Sequence, residues 1–191
     1  KGRVQIGIML LAGVAVNAFG GAFTGLMINM ADEEQLRTIT FWSLGSLNGA
    51  SWKVNGILAL ITLVGTALIL RRAKELDALG LGEREALYLG VHTSRVKKEI
   101  LILSALLCGP VISFVGLIGF VGLVVPHILR IFIGPKSGPL MICSYLLGGV
   151  FLILADTVAK TIIMPSELPI GVVTALIGTP FFTYLLLKQK R

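Results

Sequence analysis

Charge is what this chain has least of. Asp, Glu, Lys and Arg make up 14% of its 191 residues, against about a quarter in an ordinary soluble domain. That deficit points to lipid as the solvent around much of the chain. There are only two histidines, His92 and His127, and the spacings that hold zinc are absent, which leaves no metal centre to expect. The two cysteines, Cys108 and Cys143, sit inside apolar runs and read as buried small hydrophobes rather than as a disulfide. No nucleophile–base pair or carboxylate dyad appears. The glycine-containing stretch GLGEREA, residues 80–86, lacks the Gly-Lys-Ser/Thr ending of a phosphate loop. No secretory signal is expected either, because the first apolar run is too long. The chain opens on KGRVQIG without methionine, which reads as a lost start or a fragment.

What the chain has in quantity is uncharged sequence. Five long runs lie between Arg3 and Asp32, Lys53 and Arg71, Glu99 and Arg130, Lys136 and Asp156, and Glu167 and Lys188. The first has 28 residues, enough for a helix of about 42 Å against a hydrocarbon core of roughly 30 Å. A soluble domain of this size could hide one such helix but hardly five. The expected class is an all-α, polytopic membrane protein embedded in a lipid bilayer. The net charge of +7 raises nucleic acid as a partner. No basic helix is interleaved with aromatics for base stacking, so nucleic acid is set aside.

The charges are sorted by position. Basic clusters stand at 1–3, 71–74, 95–98, 130 and 136, and 188–191, whereas the loop after the first span opens on the acidic run Asp32, Glu33, Glu34. Lys and Arg favour the cytoplasmic side in short loops. The run from 100 to 129 must then hold two crossings, or the basic tail would end outside. Glycines 109, 116, 119 and 122 with Pro110 permit a break. Six membrane segments are expected, at 5–30, 54–71, 96–115, 117–133, 138–158 and 170–188, with both ends in the cytoplasm. Residues 32–52 form an outer excursion with a short helix at 33–44, and residues 72–95 an inner loop.

Several stretches are more than oily. Residues 83–89 form a short amphipathic helix between Gly82 and Gly90, with Leu87 and Ala86 on its apolar side. It is either a docking lever for a cytosolic partner or a helix lying on the lipid surface. Pro126 lacks an amide donor, and His127 and Arg130 share a helix face near the cytoplasmic boundary. They are either a structural cluster or a partner-contact or gating site. Lys160 stands one turn after Asp156, so it pairs with Asp156 or presents a cation outward. In the first span Asn17, Gly21 and Thr24, and in the last Gly178 and Pro180, suit close helix packing or a pathway lining equally.

The stretches ADEEQLRTITFWSLGSLNGASW at 31–52, LGEREALYLGV at 81–91, IGFVGLVVPHILR at 118–130, LADTVAK at 154–160 and ELPIGVVTALIGTPFFTYLLLK at 167–188 are in the order of a known pattern. The chain resembles the FecCD family, permease subunits of ABC importers for iron–siderophore complexes, haem and vitamin B12. The resemblance implies a ten-helix permease fold of which this chain is the C-terminal half, from about the fifth helix. It implies a homodimer on two cytosolic ATPase subunits, which carry the ATP and Mg, so that this subunit is no enzyme and binds no cofactor. It places the protein in the bacterial cytoplasmic membrane. By the same resemblance, Glu83, Ala86, Leu87 and Gly90 belong to the ATPase-coupling loop, and Lys160 meets an extracytoplasmic substrate-binding protein. The segments at 5–30 and 170–188 border the central path. Leu117 departs from the proline usual in the family pattern, leaving the turn between 109 and 119 open. A secondary transporter driven by an ion gradient is the alternative.

Overall fold

A computed structural model describes residues 6–163 and 168–189, with nine α-helices and no strand among the described residues. The chain divides into two compact units, residues 1–41 and 42–191.

The first unit holds α1 (Ile6–Met30) and most of α2 (Glu33–Ser43). α1 is apolar on every side and its large side chains, Leu11, Val16 and Phe19 among them, are exposed. Two residues separate the helices because Asp32 starts the second at once. Its carboxylate accepts the Gln35 N–H at 2.9 Å, and its carbonyl accepts that of Leu36 at 2.8 Å. Glu33 and Glu34 in the first turn suit the positive end of the helix. The Arg37 guanidinium lies 5.7 Å over the Phe41 ring.

The second unit holds α3 (Trp52–Leu70), α4 (Ala73–Leu81), α5 (Glu83–Tyr88), α6 (Thr93–Val115), α7 (Val121–Ile133), α8 (Ser137–Thr161) and α9 (Ile170–Gln189). Ser51 caps α3, its hydroxyl accepting the Val54 N–H at 3.3 Å. α3 packs on α6, and α7 and α9 pack on α8. The core lies where α8 meets the start of α9: Ala155 and Ala159, one turn apart, are small enough to admit Ile170 and Val173. Leu47, Ile118, Leu152 and Leu168 close around them.

Among the described residues four helices are long and apolar enough to cross a membrane: Leu10–Met30 within α1, then α3, α6 and α8. Six crossings were expected; α7 has 13 residues, about 20 Å, and the described apolar part of α9 is Ile170–Thr183. The turn accounts for the shortfall in α7. α6 runs on through Gly109 and Pro110 to Val115, and residues 116–120 are irregular, so α7 opens at Val121 instead of 117. Gly116 (φ 75°) and Phe120 (φ 66°) both adopt left-handed backbone there.

That turn is held by backbone. Ser46 N–H donates to the Val115 carbonyl at 2.9 Å, Gly171 N–H to the Leu44 carbonyl at 3.0 Å, and the Trp42 indole to the Ser113 carbonyl at 3.2 Å. Three glycines make the approach feasible. A Cβ on Gly45 would meet the Leu117 carbonyl, one on Gly116 that of Trp42, and one on Gly171 that of Leu44.

Candidate functional site

The segment between α3 and α6 is a helical double bend. Gly82, at φ 134°, turns α4 into α5, and Gly90, at φ 80°, ends the turn after α5. Both conformations favour glycine. Val91 N–H bonds back to the Ala86 carbonyl at 2.9 Å and Gly90 N–H to that of Leu87 at 3.0 Å, closing the second bend. Ala86 is 0% exposed, whereas Leu87 is half exposed. The two do not form one apolar side, as expected from sequence, because neighbours on a helix point about 100° apart. Leu87, Tyr88 and Leu89 are all exposed, as is Leu81, and Tyr88 is 89% exposed.

Charged side chains tie this bend to the spans. Glu83 pairs with Lys97 at 3.1 Å and accepts a long bond from the Thr93 hydroxyl at 3.5 Å, joining the start of α5 to the start of α6. Arg72, between α3 and α4, bridges Glu75 at 3.1 Å and Glu99 at 2.8 Å, and Glu99 also holds Arg95 at 2.9 Å. The Glu75 hydrogen bond, then the Glu99 charge, hold the Arg72 guanidinium above its ordinary pKa. Asp77 of α4 accepts the Ser137 N–H at 2.6 Å, fixing α4 to the first turn of α8. The Ser137 hydroxyl and this N–H hold the Asp77 carboxyl below its usual range. Of these ties, the Arg72–Glu75 and Arg95–Glu99 pairs, three and four residues apart, are local spacings that the sequence carries. The others join separate helices and carry no local signal.

The remaining sequence-predicted residues lie apart. Pro126, His127 and Arg130 are all on α7, which continues through Pro126. Pro126 faces a cavity of about 300 Å³ beside Thr66, Ser144 and Tyr145, and Arg130 a different groove beside Lys74 and Lys136. Lys160 pairs with Asp156 at 2.7 Å, near the far end of α8. In the first unit Asn17, Gly21 and Thr24 are exposed, a Cβ on Gly21 would meet nothing, and the Thr24 hydroxyl bonds to the Gly20 carbonyl at 2.9 Å. Gly178 is packed under the Phe120 side chain. Pro180 lines an apolar cavity of about 600 Å³ with Leu44, Leu117, Ala175 and Leu176. Cys108 is exposed and Cys143 only half-buried, so neither is the buried hydrophobe expected. Among the described residues no three of His, Cys, Asp and Glu come together.

An apolar helical frame with a charged, bent segment at one end has counterparts among known proteins. Residues 1–188 match the FecCD transport family. The chain is 41% identical to the hemin transport system permease protein HmuU of Yersinia pestis, over 99% of this chain and 57% of that protein. It is 40% identical to the cobalamin import system permease protein BtuC of Halobacterium salinarum, over 97% of this chain and 50% of that protein. The chain therefore spans about half the length of these curated relatives. The fold is similar to a solved inward-facing structure assigned as a metal-chelate type ABC transporter: the TM-score is 0.89 at 31% identity, over 96% of this chain and 60% of that one. A family match running from the first residue to the last apolar helix, on an all-α multi-pass fold shared with that transporter, places this chain in the FecCD transport family.

Proposed function

We propose that this chain is the C-terminal part of a permease subunit in an ATP-driven importer that carries a metal chelate, an iron–siderophore complex or haem, across the bacterial cytoplasmic membrane. The carrying observation is the double bend at Gly82 and Gly90. It is anchored on the inside by the fully buried Ala86 and tied to α6 through Glu83, yet it presents Leu87, Tyr88 and Leu89 without cover. A rigid, tethered projection with an uncovered apolar face is suited to receive force from a partner. Lipid contact alone would not require the tethers.

On this reading α7 and α9 complete six crossings, residues 72–95 lie in the cytosol against an ATPase subunit, and residues 32–52 lie outside. ATP and Mg stay on the ATPase. A second permease copy completes the pathway, to which Asn17, Gly21, Thr24, Gly178 and Pro180 contribute by lining or packing. Pro126, His127 and Arg130 form the cytoplasmic boundary of that pathway. Lys160 shares its charge between Asp156 and an acidic group on an outer substrate-binding protein, which gives orientation more than affinity.

The test uses the full-length permease with its ATPase subunits in proteoliposomes. Gly90→Val and Ala86→Glu are expected to abolish binding-protein-stimulated ATP hydrolysis and chelate uptake while the outer binding protein still docks. Lys160→Glu is expected to weaken docking, more at low salt. Uptake that persists without ATPase subunits and follows an imposed ion gradient would overturn the assignment in favour of a secondary transporter. Normal coupling in both bend variants would remove the lever.

A further inference from the structure

A groove of about 540 Å³ opens between α4, the end of α7 and the start of α8. Three cations line it: Lys74 from α4, Arg130 from the last turn of α7, and Lys136 immediately before α8. All three side chains are exposed, and none is within ion-pair distance of a carboxylate among the described residues. Arg72, Arg95 and Lys97, which lie nearby in the sequence, are all paired. The one carboxylate in the groove, Asp77, is already engaged by the Ser137 N–H at 2.6 Å. Three cations against one carboxylate leave an excess of two positive charges facing an open concavity.

The surroundings are apolar in a particular way. Arg130 closes a helix of almost unbroken hydrophobic sequence and is followed by Ile131 and Phe132, 70% and 81% exposed. Leu76 of α4 lines the other side of the groove. A cation cluster with exposed apolar side chains beside it marks the level at which acyl chains give way to headgroups. Basic pockets at that level between membrane helices suit phosphate headgroups.

We propose that this groove binds a phosphate-bearing anion, with the headgroup of an anionic phospholipid as its resident occupant and Lys74, Arg130 and Lys136 as its ligands. The occupant cross-links α4, α7 and α8 at the base of the bent segment. The inference needs the chain to lie in a membrane but not to couple to an ATPase, so failure of the transport assays leaves it standing, and the converse.

The full-length permease–ATPase complex is reconstituted in nanodiscs of equal phosphatidylglycerol and phosphatidylcholine, released into mild detergent and weighed intact to count retained lipids. Wild type is expected to retain phosphatidylglycerol preferentially. Each Lys or Arg near an anionic surface is worth roughly a fivefold change in partition. Lys74→Gln alone, at an exposed position that the fold tolerates, is therefore expected to lower that retention several-fold. The triple variant Lys74→Ala, Arg130→Ala, Lys136→Ala is expected to abolish the preference. A triple variant with the same charge change, Lys53→Ala, Arg71→Ala, Lys98→Ala, is expected to keep it. Equal retention in the two triples overturns the site. Millimolar inorganic phosphate is expected to displace the lipid from wild type only. Protection of the groove by phosphate with no lipid preference overturns the lipid occupant and leaves a soluble phosphate ligand. A preference that appears only when the ATPase subunits are stripped away overturns both, and makes the groove a protein contact.

Discussion

The two ends of the 42–191 unit are fastened by different physics. At the end where α3 stops and α6 begins, the fastenings are ion pairs: Arg72 to Glu75 and Glu99, Arg95 to Glu99, and Glu83 to Lys97. At the other end, where α6 stops and α9 begins, they are backbone hydrogen bonds across contacts that only Gly45, Gly116 and Gly171 permit. Ion pairs at partly exposed positions contribute little each and weaken with salt, so the charged end can let go and re-form. The glycine end has no such latitude, because a carbonyl in van der Waals contact with a Cα cannot yield to a side chain.

The sharpest way to break the comparison is at the glycine end. Gly116→Ala places a methyl against the Trp42 carbonyl on a backbone at φ 75°. Overpacking costs about 1–3 kcal/mol, and left-handed backbone adds roughly 1–2 for a residue with a Cβ. Gly171→Ala carries the overpacking alone, against the Leu44 carbonyl. Gly21→Ala in α1, where a Cβ meets nothing, should be neutral or gain up to about 1 kcal/mol from helix propensity. Thermal unfolding in detergent should rank them Gly116, Gly171, then Gly21. A Gly116 variant that melts with wild type would show that the junction yields.

Next in size is Ala86→Leu. The side chain is fully buried in a helix of six residues, and the added methylenes should cost about 1–3 kcal/mol, concentrated in the bend. The measurement is proteolysis of residues 82–91, expected to accelerate while the melting of the spans stays within a degree or two. Unchanged cleavage would mean that α5 shifts as a body, and that Ala86 is not its anchor.

How much of this was legible in the sequence follows from which interactions are local. The helices α1, α3 and α8 are apolar runs bounded by charge, and a run length is a local property. So are the bend glycines, Gly82 and Gly90, and the Asp156–Lys160 pair one turn apart. The split of residues 100–133 was expected from charge parity, but its position was not, because Gly109–Pro110 and Gly116 are equally good breaks until Trp42 and Ser46 claim the carbonyls of Ser113 and Val115. Burial of Ala86 beside exposed Leu87 was likewise hidden, since it depends on what the bend packs against. The grouping of Arg130 with Lys74 and Lys136 joins residues 56 and 6 positions apart in the chain, and no periodicity reports it.

At the charged end a smaller effect is expected from Glu99→Gln, which removes the negative charge shared by Arg72 and Arg95 and leaves one oxygen to accept. Both partners are partly exposed, so the loss should be modest and most visible at low ionic strength. Melting of wild type should fall toward that of the variant as salt is raised from about 0.01 to 1 M, where the screening length shrinks roughly tenfold. Gly171→Ala should show no such convergence. Parallel salt curves for wild type and Glu99→Gln would remove the contrast between the two ends.

The smallest effect sharpens the comparison within the charged end itself, because Asp77 is fastened to backbone rather than to a cation. Its carboxylate takes the Ser137 N–H at 2.6 Å, and its pKa lies below the ordinary 3.8. A depressed carboxyl stabilises the fold in full above its unfolded pKa and loses that contribution as pH falls through its folded value. The α4–α8 junction should therefore be indifferent between pH 7 and 5 and loosen only below about 4. Asp77→Asn keeps an oxygen for the N–H but not the charge, so it should cost about 1 kcal/mol near neutrality and converge on wild type in acid. Accessibility of a cysteine placed at Pro135, beside the groove, would report the opening in both proteins. A gap between them that widens as pH drops would mean that the carboxyl is stabilised in its neutral form, and the hydrogen bond from Ser137 would not be what holds α4 in place.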